Sequence, residues 1–261
     1  MQMSGHALDH CAVVAVGGSG SQGLRDMQEL LLALPADLPA AVLLTLHRPV
    51  DRPSSLASVL QRTSRLPVRI ATQGGLLRPG VCYVGEPSRH LALGAPGQVR
   101  LVDDERRFHR NATVDLLFRS VAEHAGRQAI GVVLSGCLAD GSRGLAAINQ
   151  AGGIGMACVP CAQAVGDMPR NAIARAGPLS LVDTAAGLGR EIARRSAAND
   201  HLHDDHLHRA TQRAPASGIG QNRAATPSAA SSTATTSATT PPHPAARQAM
   251  PGSTPPSAPP M

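Results

Sequence analysis

The sequence predicts an α/β fold: a doubly wound, mostly parallel sheet flanked by helices, with an antiparallel hairpin excursion near 68–102. Three observations predict it. Short runs of β-branched and apolar residues, such as Val13-Val14-Ala15-Val16, alternate with stretches whose apolar residues recur at helical spacing. The strand–helix units have the length of crossovers between parallel strands. Between 68 and 102 that alternation stops, and Gly74-Gly75, Pro79-Gly80, Gly94 and Pro96-Gly97 punctuate short apolar runs.

Taken in order, strand Cys11–Gly17 leads to helix Leu24–Leu34, where Leu24, Met27, Leu30, Leu31 and Leu34 form one apolar stripe. Pro35 and Pro39 interrupt the chain before strand Ala41–Leu46, and Ser54 or Ser55 caps a helix reaching about Ser64. Val81–Val84, His90–Leu93 and Val99–Val102 are the strands of the hairpin excursion. Helix Thr113–Ala125 precedes strand Ala129–Ser135. Helix Ser142–Ala151 stops at Gly152-Gly153, where a C-terminal glycine cap belongs. Strand Ile154–Cys158 is followed by a helix starting near Pro169, since proline suits a first turn. Leu179–Val182 and an amphipathic helix Thr184–Arg195 complete the fold, with no internal repeat.

Composition divides the chain. Residues 1–10 form a short lead and 11–196 the folded domain, long enough for a substantial core. Residues 197–261 are expected to be a low-complexity, disordered tail. From Ala214 onward it is Ala, Pro, Ser and Thr, which bury too little apolar surface to offset the entropy of ordering. The net charge of +6 comes from arginine alone, because the chain contains no lysine. That excludes Schiff-base, P-loop and kinase-type lysine chemistry. Arg209, Arg213, Arg223 and Arg247 lie beyond or near the last acid, Asp205, so part of the basicity belongs to the tail. One tyrosine, two phenylalanines and no tryptophan argue against base stacking, and no nucleic acid is expected as partner. No apolar run reaches the roughly 20 residues of a membrane span, and Met1–His10 lacks a signal-peptide pattern. A cytoplasmic location without membrane insertion is therefore expected, with Cys11, Cys82, Cys137, Cys158 and Cys161 mostly reduced. Cys158-Val-Pro-Cys161 has thioredoxin-like spacing but follows a late strand, which favours incidental thiols over a redox pair.

Three loops follow apolar runs and bear on chemistry: Gly17-Gly18-Ser19-Gly20-Ser21-Gln22-Gly23, His47-Arg48-Pro49, and Gly136-Cys137-Leu138-Ala139-Asp140-Gly141. In an open parallel sheet, ligands bind beyond the carboxyl ends of the strands, so these loops can converge. A serine, a histidine and an aspartate there are the parts of a nucleophile, base and orienting acid. The first loop also spells Gly18-x-Gly20-x-x-Gly23, the dinucleotide fingerprint, and Arg48 is placed for the 2′-phosphate of NADP, although the ribose-binding acid is missing. Taken singly, His47 is an ordinary strand-end residue, and Asp140 a turn residue or the N-cap of the next helix.

Over Val13 to Arg195 the chain resembles the catalytic domain of the CheB-type protein-glutamate methylesterases, the chemotaxis receptor methylesterases. The resemblance rests on Leu34-Pro35-Ala-Asp-Leu-Pro-Ala-Ala-Val42, His47-Arg48-Pro49 and Leu77-Arg78-Pro79-Gly80-Val81-Cys82-Tyr83-Val84. It continues through His109-Arg110, Val114-Asp115-x-Leu117-Phe118, Gly131-Val-Val-Leu-Ser-Gly136-x-x-x-Asp140-Gly141, Gly152-Gly153 and Met168-Pro169-Arg170-Asn171. It implies the same doubly wound sheet, with Ser19 as nucleophile, His47 as base and Asp140 as orienting acid. It also implies hydrolysis of glutamate γ-methyl esters on a methyl-accepting chemotaxis receptor or receptor-like helix bundle, glutamine deamidation as a second activity, and no cofactor or metal. The chain departs from the family pattern in an extra residue around Ser19, which in a gapless alignment puts Gly20 at the nucleophile position. Cys137 replaces a methionine and Asn111 a proline. No receiver domain is expected, so the reading is a stand-alone esterase domain. The alternatives are a catalytically impaired relative that binds receptor helices and an NADP-binding protein.

Overall fold

The computed structural model describes residues 11–47, 55–86, 88–94, 97–103, 112–161 and 167–212, with side-chain surroundings to residue 198. The chain separates into Met1–Ala214 and Pro215–Met261, and all described residues lie in the first unit. Residues 1–10, Arg48-Pro49, Ser54, His109-Arg110-Asn111 and everything beyond Gln212 fall outside the described residues.

Seven strands form one parallel sheet: β1 (Ala12–Ser19), β2 (Ala40–His47), β3 (Val68–Ile70), β4 (Cys82–Val84), β7 (Ala129–Val133), β8 (Ile154–Cys158) and β9 (Leu181–Asp183). Their order is β3-β4-β2-β1-β7-β8-β9. The chain passes from β1 to β2, goes out to the edge strand β3, comes back to place β4 between β3 and β2, crosses to the other side of β1 at β7, and winds outward to β9. β1 is therefore the strand at which the winding reverses, and crevices for ligands open at such a point. Strands β5 (Arg89–Gly94) and β6 (Gln98–Asp103) form a separate antiparallel pair.

Each sheet face is covered because strands in the middle of a parallel sheet are apolar on both sides. Alternation sorts the residues of β1: Val14 and Val16 face one cluster, Val13 and Ala15 the other. The Val14 face packs on α1 (Gly20–Ala33), α2 (Leu56–Gln61) and α6 (Ala185–Gln212) through Met27, Leu30, Leu31, Leu60, Leu188 and Ile192. The Val13 face packs on α3 (Thr113–Ala125), α4 (Ser142–Gln150) and α5 (Met168–Arg175), with the β5–β6 pair stacked on α3.

Three elements differ from the sequence reading, the first two for physical reasons. The run Val81–Val84, assigned to the hairpin excursion, supplies β4, which lies between β2 and β3 in the parallel sheet; only β5 and β6 pair antiparallel. A three-residue run buried throughout carries no periodicity that distinguishes the two roles. The last helix runs to Gln212 rather than Arg195, because no glycine or proline occurs between Arg190 and Ala214. The first helix begins at Gly20, directly after Ser19, rather than at Leu24.

Candidate active site

Ser19 is the last residue of β1 and the N-cap position of α1, with extended backbone (φ −146°, ψ 156°). The parallel register pairs Ser19 with His47, the last residue of β2. In-register neighbours project to the same face of a sheet. Counting in twos from Val13 and Ala41, both members of the α3-side cluster, places Ser19 and His47 on that face. His47 is exposed, and Ser19 half-buried.

The loop after β7 closes over Ser19 from the other side. The Ser19 N–H donates to the Ser135 carbonyl at 3.0 Å, and the Cys137 N–H donates to Ser19 Oγ at 3.0 Å. With Oγ accepting there, its own proton remains for a base on the neighbouring strand. Ser19 Oγ caps none of the first-turn amides of α1, and those N–H groups have no intrahelical acceptor. They lie at the positive end of the helix dipole, which favours negative charge. Gly20 turns the chain at φ +69°, and a Cβ there would meet nothing within 4 Å, so the space above it is open. Ser21 is an exposed residue of the first helical turn.

Asp140 accepts from the N–H groups of Val114 (3.0 Å, Oδ2) and Asp115 (2.9 Å, Oδ1), so it caps α3. Of the two plain roles the sequence offered it, Asp140 is a turn residue and not the cap of the following helix. The cap position of α4 is Gly141, at φ +92°, and the α4 amide of Gly144 is taken by the Asp115 carboxylate at 2.7 Å. Asp140, in the turn before α4, thus caps α3, and Asp115, in the first turn of α3, bonds the start of α4. Burial pushes the Asp140 carboxyl up to about 6; the Val114, Asp115 and Gly141 amides pull against that, and the Asp115 charge adds to it.

Residues not singled out from the sequence as functional hold the third loop in place. Buried Asp26 of α1 accepts from the Ser135 N–H at 3.0 Å and from Gln22 Nε2 at 2.8 Å. Asp167 caps α5 through the Arg170 N–H at 2.8 Å, and Cys137 forms an antiparallel bridge with it. Met168 N–H donates to the Gly136 carbonyl, and Asn171 Nδ2 to the Leu138 carbonyl at 2.7 Å. A Cβ on Gly136 would overlap Met168 Sδ and stand 2.5 Å from Ser19 Oγ, so only glycine lets the loop approach. A signal for Asp167 exists, an aspartate two residues before a helix-starting proline. For Asp26 the only signal is an acid beside the apolar stripe of α1.

The other motifs find plainer roles. A Cβ at Gly23 would stand 2.5 Å from the Ser135 carbonyl, so this glycine of the nucleotide-like fingerprint is accounted for by close packing of α1 on the third loop. Cys158 is buried at the end of β8, and burial holds its thiol up at about 12, which removes its thiolate; Cys161 is exposed and the two are not joined. Among the described residues, no group of three or more His, Cys, Asp or Glu is placed to hold a metal, and no helix is long and apolar enough to cross a membrane.

A sequence profile described as CheB methylesterase matches residues 14–191, which covers β1 through the first turns of α6. The chain belongs to the CheB methylesterase family. Relatives named protein-glutamate methylesterase/protein-glutamine glutaminase include one from Pectobacterium atrosepticum, 37% identical over 188 residues (71% of this chain and 53% of that protein). Another, from Salmonella typhi, is 34% identical over 197 residues (74% and 56%). The chain spans about half the length of the curated relatives it matches. The crystal structure of the Thermotoga maritima CheB methylesterase catalytic domain superposes with a TM-score of 0.63 at 28% identity, covering 70% of this chain and 98% of that one. The CheB methylesterase fold is thus the doubly wound sheet described above, with its antiparallel pair.

Proposed function

We propose that this CheB-family domain hydrolyses glutamate γ-methyl esters on a methyl-accepting chemotaxis receptor or a receptor-like helix bundle, with Ser19 as nucleophile, His47 as base and Asp140 as orienting acid. The observation that carries this reading is the position of Ser19. Its hydroxyl ends a strand at the point where the winding reverses, accepts a hydrogen bond from the third loop, and stands in register with His47.

Ser19 Oγ attacks the ester carbonyl as His47 takes its proton. The tetrahedral oxyanion meets the N–H groups at the start of α1, and methanol departs with the proton returned from His47. Water then attacks the acyl-serine with His47 again as base, releasing the glutamate carboxylate and regenerating Ser19. Asp140, ionised above about pH 6, stabilises the positive charge that His47 acquires. Every step uses groups of the protein and water.

A second reading, deamidation of glutamine at the same receptor sites, is favoured by the paired names of the relatives. It uses the same acyl-serine, with ammonia in place of methanol. The experiment is methanol release from a methylated receptor by wild type, Ser19→Ala and Ser21→Ala. Turnover by wild type and Ser21→Ala, and none by Ser19→Ala, supports the assignment. Loss in Ser21→Ala with Ser19→Ala active moves the nucleophile, and no turnover by wild type leaves a domain that only binds.

A further inference from the structure

Leu138 is the one non-glycine residue at positive φ among the described residues, at φ +69°. In the left-handed region Cβ crowds the following carbonyl, so a bulky side chain there is strained. The fold over-determines this conformation. On one side the Cys137 N–H is committed to Ser19 Oγ, and on the other Asn171 Nδ2 holds the Leu138 carbonyl at 2.7 Å. The loop takes part in both bonds through its backbone only, and with glycine at 138 it would make them without strain.

The side chain is mostly unburied in return. Leu138 is 63% exposed, so an apolar group is held in strained backbone and also left in water. Its neighbour in sequence touches the proposed nucleophile, so the exposed leucine stands at the mouth of the site. Strain of this kind, held in place by its surroundings, clusters at active sites and ligand clamps. An apolar group set there, beside Ser19, is placed to be buried by what binds.

We propose that Leu138 is a substrate-recognition residue: its side chain packs on the apolar surface of the protein segment that carries the ester, beside the carbonyl that Ser19 attacks. The inference rests on the esterase reading above and adds a determinant of selectivity to it. Leu138 forms no part of the bond making and breaking.

The test compares wild type, Leu138→Gly, Leu138→Asn and Leu138→Met on a methylated receptor and on p-nitrophenyl acetate, with melting temperatures for each. Glycine removes strain and side chain together; asparagine tolerates the left-handed backbone but is polar; methionine keeps an apolar contact. Expected are a Leu138→Gly melting temperature equal to or above wild type, and a receptor-to-small-ester ratio of kcat/KM lowered about three- to tenfold, mostly through the receptor KM. Leu138→Asn should follow glycine, and Leu138→Met should stay near wild type. An unchanged ratio in Leu138→Gly, or an equal loss on both substrates, overturns the inference while the esterase reading stands. Wild type inactive on both substrates removes that reading and the inference with it.

Discussion

The two loops that build the site are made in opposite ways. The β1–α1 turn around Ser19 is shaped locally, by glycines that let the chain reverse at Gly20 and let α1 settle on its neighbour at Gly23. The loop after β7 is fastened from a distance. Asp26 holds Ser135 from 109 residues away, Ser19 holds Cys137 from 118, and Asn171 holds Leu138 from 33. Asp140 is tied in turn to the start of α3. The first loop therefore takes its turn from its own glycines and meets the second at Ser19 and Gly23, whereas the second depends along its length on the elements that reach it. The relative position of Ser19 on the first and Asp140 on the second, the proposed nucleophile and orienting acid, is set by the tertiary fold.

Removing the chemistry itself gives the largest expected effect. Ser19→Ala, His47→Ala and Asp140→Asn should each lower turnover on a methylated receptor by about a thousandfold or more, with the far-ultraviolet circular dichroism unchanged. Because such groups act as a unit, the Ser19→Ala/His47→Ala double variant should lose little beyond either single one, as steady-state kinetics will show.

Next comes the contact between the loops. Gly136→Ala places a Cβ against Ser19 Oγ and Met168. We expect about a hundredfold loss of kcat from displacing the nucleophile, and a destabilisation of about 1–3 kcal/mol in denaturant titration. Full activity in this variant would show that the two loops are less tightly apposed than their hydrogen bonds imply.

A smaller change probes the distant fastening alone. Asp26→Ala leaves the Ser135 N–H without its acceptor and should cost about 1–3 kcal/mol of stability, with a roughly tenfold loss of kcat. If stability falls and kcat is unchanged, Asp26 supports the core but does not position the loop.

The smallest effect is electrostatic. Burial raises the Asp140 carboxyl from 3.8 to about 6, so the folded protein holds this proton more tightly than the unfolded chain. The stability linked to the protonated acid is fully present below the ordinary carboxylate range and is lost as pH rises through about 6. Asp140→Asn cannot ionise and escapes that loss. The melting temperature of Asp140→Asn minus that of wild type should therefore increase between pH 4 and pH 7, by about 2–4 °C. A difference independent of pH would mean that the carboxylate is better solvated than its burial implies.

The same contrast explains what could be read in advance. The glycine-rich turn, its serine and the strand before it were legible because an apolar run followed by closely spaced glycines marks a strand-to-helix turn within a dozen residues, although distant bonds also hold it. Asp140 was legible as a candidate acid from its loop after an apolar run and from the resemblance, yet its partners on α3 were not, since capping of a helix 25 residues back leaves no mark on local pattern. Asp26 sits beside an apolar stripe, and nothing local says that its carboxylate faces a loop rather than water. The exchange of β4 between hairpin and main sheet has a related cause: Cys82–Val84 is too short to show a period, and its neighbours β2 and β3 decide its role. Leu138 was invisible for a different reason. Its identity is unremarkable and only its backbone angle makes it an outlier.

The central claim is that Ser19, held between the two loops, is the reactive nucleophile of the domain. Labelling the full chain with a fluorophosphonate probe and mapping the adduct by mass spectrometry tests it most directly. The account predicts a single adduct on Ser19, absent in Ser19→Ala, retained in Ser21→Ala and strongly slowed in His47→Ala. An adduct on Ser21, or labelling of wild type no faster than of Ser19→Ala, would contradict it.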